Sequence, residues 1–188
     1  VQNPDGSNPV EVDLYQVMKP LESMCVYLGL DIGSTSTKAM MMDCKQAALA
    51  GFYTRTAARP VAAVQNIFAA IADMAAIKEV FLNVVGVGTT GSGRKFAGKN
   101  IGADLSVDEI TAHARGAVEI DPEIDTIFEI GGQDSKYIYI SNAYPLDFDM
   151  NKVCAAGTGS FLHELANKYG INIVGEFQKI ALSSDTPV

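Results

Sequence analysis

Two stretches of the chain share one pattern, in which an apolar run leads into a short polar turn and a second apolar run follows at once. In the first stretch the runs are residues 26–32 and 39–42, and in the second they are residues 126–130 and 137–140. A strand, a tight polar turn and another strand are typical of a β-hairpin. The sequence therefore predicts two hairpins of similar design.

Further elements are predicted between the two hairpins. Strands are expected over residues 49–56 and 80–88. Pro60 suits the first position of a helix, and apolar residues at helical spacing follow it. Residues 60–77 are poor in charge but include Gln65, which predicts a helix buried against the sheet and not a membrane span.

A helix is also predicted to begin near Ser106. Ser106 and Glu109 have the Ser-x-x-Glu form of a capping box, in which each side chain satisfies a free backbone N–H at the start of a helix. Ser106 is therefore expected to be the N-cap.

Composition narrows the class of protein. The chain has 188 residues, 48% hydrophobic and 19% charged, and a net charge of −8, which describes a folded globular protein and argues against nucleic-acid binding. The first eight residues are polar and give no signal peptide. Three cysteines form no disulfide framework, so we expect no disulfide and a cytoplasmic location.

The polar tip of the first hairpin has the chemistry of a phosphate site. Gly33 allows close approach of the backbone, and the hydroxyls of Ser34 and Thr35 and the ammonium of Lys38 are donors to phosphate oxygens. Asp31, at the end of the strand, is placed to hold Mg²⁺. The alternative is an ordinary polar turn.

A glycine-rich loop, residues 89–94 (TTGSGR), follows the strand predicted over residues 80–88. A strand that ends in such a loop is a common place for ligand binding in α/β folds. The alternative is a flexible turn with Arg94 facing solvent.

The tip of the second hairpin repeats the design of the first. Gly131, Gly132, Gln133 and Asp134 form a polar turn that ends at Lys136. Facing each other, two such tips are expected to clamp a polyphosphate and Mg²⁺. Gln133 is a candidate to orient water for attack on a terminal phosphate.

Cys154 precedes a helix that is predicted from Phe161 and closed by Gly170. At a helix N-terminus, the positive dipole and free N–H groups favour a thiolate and a negatively charged iron–sulfur cluster. The alternative is a small buried cysteine packed under the helix.

Five motifs in fixed order carry a family resemblance. They are residues 31–38 (DIGSTSTK), 88–94 (GTTGSGR), 109–117 (EITAHARGA), 130–136 (IGGQDSK) and 151–161 (NKVCAAGTGSF). With them the chain resembles the activator ATPases of the 2-hydroxyacyl-CoA dehydratase and benzoyl-CoA reductase systems, the BadF/BadG/BcrA/BcrD ATPase family. This family lies in the superfamily of acetate and sugar kinases, heat-shock chaperone ATPases and actin. Glu129 departs from the pattern, since many relatives have Asp there.

The resemblance implies an α/β, actin-like ATPase with two lobes built on mixed sheets. It assigns phosphate binding to the two hairpin tips, with ATP and Mg²⁺ as cofactors. Gln133 and Asp134 are the candidate catalytic residues. It also implies a homodimer that shares a four-iron four-sulfur cluster, for which Cys154 matches one ligand. ATP hydrolysis would drive a low-potential electron to a dehydratase or reductase partner, in an anaerobic cytoplasm.

The resemblance also suggests that the chain is a fragment. Residues 1–24 are expected to be a leader or linker, residues 25–120 the first lobe, and residues 121–188 the start of an incomplete second lobe. The family's second cysteine ligand and adenosine segment come later than this chain reaches. The fragment alone is therefore expected to be inactive and to lack the cluster.

Two other functions remain open from the residues. One is a small-molecule kinase, such as a sugar kinase, for which Asp134 is the candidate catalytic carboxylate within a motif. The other is a non-catalytic regulatory or binding module of a larger redox protein.

Overall fold

The computed structural model describes residues 9–186, so residues 1–8 of the expected leader lie outside the described residues. The chain divides into two compact units, Val1–Ala112 and His113–Val188. The sequence analysis placed the lobe boundary after residue 120, and that boundary stays a prediction.

In the part of the first unit that the structure describes there are six strands and two helices: β1 (Glu11–Leu14), β2 (Ser23–Ile32), β3 (Ser36–Asp43), β4 (Ala48–Arg55), α1 (Pro60–Lys78), β5 (Phe81–Thr90), α2 (Arg94–Ile101) and β6 (Leu105–Ser106). Helix α3 (Glu109–Ile120) spans the division between the units. The second unit contains β7 (Thr126–Ile130), β8 (Ser135–Ser141), β9 (Tyr144–Met150), α4 (Gly159–Lys168) and α5 (Glu176–Leu182).

The first sheet is mixed and has the strand order β1-β4-β3-β2-β5-β6. Strands β2 and β3 form the predicted antiparallel hairpin, and β2 pairs in parallel with β5 on its other side. Alternate residues of β2, including Leu28, Leu30 and Ile32, are buried in the core, as the two-residue period of a strand requires. The hairpin and the strand before the glycine-rich loop are therefore confirmed.

Helix α1 covers one face of this sheet. It begins at Pro60 as predicted, and its buried residues are Ala63, Val64, Ile67, Ala70, Ile71 and Met74. It packs against β3 and β4. By length and composition alone α1 is also long and apolar enough to cross a membrane, and 33% of its most apolar window is buried within the protein.

The expectation that residues 1–24 form a leader is wrong for the described part of that segment. Strand β1 pairs with β4 at the edge of the sheet, and Val10 and Met18 are buried in the core of the first unit. The segment is turn-rich and has no clear apolar period, so its pairing depends on the edge that β4 offers.

The expectation of no disulfide is also wrong. Cys25, in β2, and Cys44, just after β3, are joined by a disulfide with a Cα–Cα distance of 5.7 Å. Because Val26 pairs with Asp43 in the hairpin, these two cysteines stand directly across from each other at its open end. Cys154 is the one free cysteine.

Helix α3 starts at a different cap from the one predicted. Ser106 lies in β6, and the Asp108 carboxylate accepts hydrogen bonds from the Thr111 backbone N–H (2.9 Å) and hydroxyl (2.8 Å). These bonds, the backbone one foremost, lower the pKa of Asp108 below its ordinary value. The capping box was a correct signal for a helix, but a second acceptor residue lay two positions further on.

We expect Asp108→Ala to lower the free energy of unfolding by about 1 kcal/mol at neutral pH, the usual value of an N-cap. Because the folded pKa is depressed, this stabilisation is present above the unfolded pKa of about 4 and is lost as pH falls through the folded pKa. Urea unfolding at pH 7 and in acid measures both effects. Ser106→Ala is the control, and an equal loss in that variant would restore Ser106 as the cap.

The second unit is built on a three-stranded antiparallel sheet with the order β7-β8-β9. Strands β7 and β8 form the second predicted hairpin, with Glu129 opposite Lys136 and Ile130 opposite Ser135. Strand β9 was not predicted. Its sequence YPLDFDM includes a proline and two aspartates, and it lies at the edge of the sheet, where such residues are tolerated.

Candidate phosphate-binding hairpins

The tip of the first hairpin is a closed turn that needs glycine. The Gly33 N–H donates to the Ser36 carbonyl at 3.0 Å, and a Cβ on Gly33 would lie 2.8 Å from that same oxygen. The Ser34 and Thr35 side chains at the tip are exposed. The turn therefore presents the hydroxyls of Ser34 and Thr35 to solvent, where they are available as donors to phosphate oxygens.

Asp31 and Lys38 stand opposite each other in the hairpin and form an ion pair of 3.1 Å. The side chains are 33% and 49% exposed, respectively, so the pair is open to solvent. An ammonium has three donors, and one bond to Asp31 leaves capacity for phosphate oxygens. The Asp31 carboxylate is an oxygen ligand of the kind that Mg²⁺ prefers, which fits the predicted role.

The glycine-rich loop lies directly against this tip. The Gly93 N–H donates to the Ile32 carbonyl at 2.8 Å, and a Cβ on Gly91 would lie 2.5 Å from Asp31 Oδ1. Arg94 is partly buried and donates from Nη1 to the Gly91 carbonyl at 3.0 Å. The arginine holds its own loop closed, so the picture of a flexible turn with a solvent-facing arginine is wrong.

The tip of the second hairpin repeats two bonds of the first. The Gly131 N–H donates to the Asp134 carbonyl at 2.8 Å, as Gly33 does to Ser36. Lys136 is paired with Glu129, seven residues earlier, at 2.6 Å, as Lys38 is with Asp31. Residues 31–38 (DIGSTSTK) and 129–136 (EIGGQDSK) thus align position by position.

The two ion pairs differ in burial. The Lys136 side chain is 6% exposed and that of Glu129 is 24% exposed, so this pair is largely removed from solvent. Lys136 is therefore a structural group beneath the tip. Gln133 is exposed, and Gly131, Gly132 and Asp134 are partly buried, which leaves Gln133 as the accessible polar side chain of this tip.

A buried threonine from outside the hairpin holds each tip in place. The Thr56 hydroxyl donates to the Gly33 carbonyl at 2.7 Å, and the Thr158 hydroxyl donates to the Gly132 carbonyl at 2.9 Å. Both threonines are at most 3% exposed. The sequence analysis missed them because each partner lies more than twenty residues away along the chain.

Cys154 precedes helix α4, as predicted, but it lies outside the first turn of that helix. Helix α4 has Thr158 as its N-cap, four residues after Cys154, and the N–H groups of Gly159 and Ser160 donate to carbonyls of the hairpin tip. The helix dipole acts only within its first turn, so it does not reach Cys154 as argued from the sequence. The alternative of a buried cysteine is also wrong, because Cys154 is exposed.

The fit of these residues to an iron–sulfur cluster is partial. Cys154 is a free, accessible thiol, which suits a thiolate ligand. Among the described residues, however, no group of three or more His, Cys, Asp or Glu side chains could hold a metal ion. A cluster with four cysteine ligands would need cysteines that this chain does not supply.

The fold and the paired hairpins define the class of protein. Each unit contains a hairpin with a tight glycine turn, a cross-strand acid–lysine pair and exposed polar groups at its tip. This is an α/β chain with the actin-like ATPase fold.

Comparison with known proteins gives the family. The model of the BadF/BadG/BcrA/BcrD ATPase family matches residues 28–176, and the chain belongs to that family. The chain is 36% identical over 152 residues to the (R)-2-hydroxyglutaryl-CoA dehydratase activating ATPase of Acidaminococcus fermentans, covering 77% of this chain and 54% of the relative.

Two solved structures share the fold over most of the chain. The crystal structure of component A of the Acidaminococcus fermentans (R)-2-hydroxyglutaryl-CoA dehydratase has a TM-score of 0.71 and 29% identity, covering 87% of this chain and 61% of that one. The activator of the 2-hydroxyisocaproyl-CoA dehydratase from Clostridium difficile, with bound ADPNP, has a TM-score of 0.70 and 31% identity, covering 87% and 59%. The chain thus spans less than two thirds of each.

Proposed function

We propose that the protein to which this chain belongs is an ATP-dependent activator of a 2-hydroxyacyl-CoA dehydratase or a similar CoA-ester enzyme. The observation that carries the proposal is the repeated acid–lysine hairpin, found in both units of a chain whose relatives are named as dehydratase activators. One of the similar structures holds an ATP analogue, which supports nucleotide as the ligand.

The residues of the two hairpin tips have different roles in phosphate binding and hydrolysis. In the first hairpin the hydroxyls of Ser34 and Thr35 and the ammonium of Lys38 bind phosphate oxygens beside the turn that Gly33 closes, while Asp31 holds Mg²⁺ through its carboxylate. In the second hairpin the turn at Gly131 and Gly132 positions Gln133, which orients the attacking water with Asp134 beside it. Phosphoryl transfer needs mainly positioning and charge stabilisation, which are the functions that these groups supply.

Cys154 is the residue of this chain that would ligate a four-iron four-sulfur cluster, shared across a homodimer. Such a cluster supplies one-electron redox chemistry at low potential. The second subunit would supply its own copy of this cysteine, and the other two ligands would come from outside the 188 residues. The partner would be the dehydratase or reductase component, the compartment the cytoplasm, and the isolated chain would be inactive.

The test uses the full-length protein, made anaerobically. We expect ATP hydrolysis and iron–sulfur absorbance, and we expect Cys154→Ala to abolish the absorbance because it removes a ligand thiolate. Cys25→Ser is the matched control and should keep the colour, since Cys25 is bonded to Cys44. A colourless full-length protein with iron-independent ATPase activity would contradict the proposal, and ATP use stimulated by sugars would indicate a kinase.

A further inference from the structure

The backbone carbonyl of Gln133 connects the tip of the second hairpin to the segment that carries Cys154. This carbonyl accepts a hydrogen bond from the Ala155 N–H at 2.8 Å and another from Asn151 Nδ2 at 3.2 Å. Ala155 directly follows Cys154. A displacement of the Gln133 backbone is therefore transmitted through this hydrogen bond to the backbone next to the Cys154 thiol.

The Asn151 side chain ties three backbone positions together. Its Nδ2 also donates to the Val153 carbonyl at 2.7 Å, and its Oδ1 accepts from the Ser135 N–H at 3.0 Å. Val153 is the residue before Cys154, and Ser135 is the first residue of β8. Both amide protons and the carbonyl oxygen of Asn151 are thus in use, which fixes the side chain in one orientation.

The backbone beside Cys154 is held in an unfavourable conformation. Ala155 has φ of +67°, in the left-handed region that L-residues other than glycine, asparagine and aspartate rarely adopt. Such a conformation persists only where the surroundings impose it, and here its N–H is held by the Gln133 carbonyl. Movement of Gln133 would release the strain and let the Cys154 backbone change conformation.

We propose that Asn151 is a positioning residue that couples the Gln133 backbone to Cys154. When Gln133 shifts with the state of bound nucleotide, Asn151 and the Ala155 N–H transmit the shift to both sides of the cysteine. The nucleotide part of this inference rests on the proposed function. The restraint of the Cys154 backbone by Asn151 rests on the hydrogen bonds alone.

The first test asks, without nucleotide, whether the hydrogen bonds of Asn151 restrain the backbone at Cys154. In metal-free full-length protein, the rate of Cys154 alkylation by N-ethylmaleimide is followed by peptide mass spectrometry. We expect Asn151→Ala to raise this rate on the order of tenfold, because lost hydrogen bonds of ordinary net strength shift a local equilibrium by about that factor. Asn167→Ala, an exposed asparagine on α4, is the matched control and should behave as the wild type.

A second variant separates coupling from folding. Asn151→Asp keeps the oxygen that accepts from the Ser135 N–H but loses both donors and places a carboxylate oxygen against the Gln133 and Val153 carbonyls, so it should accelerate alkylation at least as much as Asn151→Ala. Thermal unfolding of both variants checks that each is folded. Unchanged alkylation in both variants overturns the proposal.

The last arm adds Mg²⁺ and ADPNP. We expect ADPNP to change the alkylation rate severalfold in the wild type and not in Asn151→Ala, although both bind ADPNP with similar affinity. An equal response in the two proteins overturns the coupling. A wild type that binds no ADPNP contradicts the proposed function. In that case the alkylation rates without nucleotide still show whether Asn151 restrains the backbone at Cys154.

Discussion

Glu129→Ala is expected to lower the free energy of unfolding by about 3 kcal/mol. Removing one partner of a buried ion pair costs roughly 3–5 kcal/mol, and the low end applies because Glu129 is 24% exposed. The variant leaves the ammonium of Lys136, which is 6% exposed, without the carboxylate now 2.6 Å away. Chemical denaturation of the full-length protein measures the loss.

The molecule contains a matched control for this prediction. Asp31 and Lys38 have the same spacing and the same place in their hairpin, but they are exposed, so Asp31→Ala should cost at most about 1 kcal/mol. The double variant Glu129→Leu with Lys136→Met should recover most of the stability, because apolar residues replace both charges. Equal losses in the two alanine variants would show that burial of the second pair has no energetic consequence.

Gly91→Ala is expected to destabilise the first unit by about 3 kcal/mol and to displace the Asp31 carboxylate. Gly91 has φ of +85°, where an added side chain is strained, and the new Cβ would lie 2.5 Å from Asp31 Oδ1 and 2.7 Å from the Ile32 carbonyl. Left-handed strain and overpacking each cost roughly 1–3 kcal/mol. Under the proposed function, loss of the Asp31 position also weakens binding of ADPNP with Mg²⁺.

The control is Gly88→Ala, three residues earlier and within β5, which ends at Thr90. A Cβ on Gly88 would meet nothing within 4 Å, so this variant should unfold like the wild type. Thermal unfolding and ADPNP titration of both variants separate a steric effect at Gly91 from a general effect of replacing glycine by alanine in this part of the chain. Wild-type stability in Gly91→Ala would contradict the packing of the glycine-rich loop against Asp31.

Local features were predictable because their causes are local. Alternation of apolar residues and a glycine turn predicted both hairpins, and Pro60 predicted the start of α1. The chemistry of the tips also followed from the residues, since Asp31, Lys38 and the tip hydroxyls lie within eight positions of one another. The predicted roles of Gln133 and Asp134 stay predictions.

Features that depend on distant pairing were missed. Residues 11–14 form a strand by pairing with the free edge of β4. Cys25 lies close enough to Cys44 for a disulfide because the register of the hairpin places the two residues opposite each other. The start of α4, two residues before the predicted Phe161, was missed for a related reason. Helix α4 starts at Gly159, whose backbone N–H donates to a carbonyl of the hairpin tip. Periodicity along the chain cannot reveal that partner.

The sequence by itself therefore determined the two hairpins and the polar residues of their tips, since each hairpin is encoded in a short continuous stretch, and five motifs in fixed order indicated the family. Only the tertiary structure decided that one acid–lysine pair is buried and the other exposed, although the two motifs read alike. It alone also decided which threonines hold the tips and that the carbonyl of Gln133 is bonded next to Cys154. Burial and long-range hydrogen bonds depend on which segments pack together, and that information is spread over the whole chain.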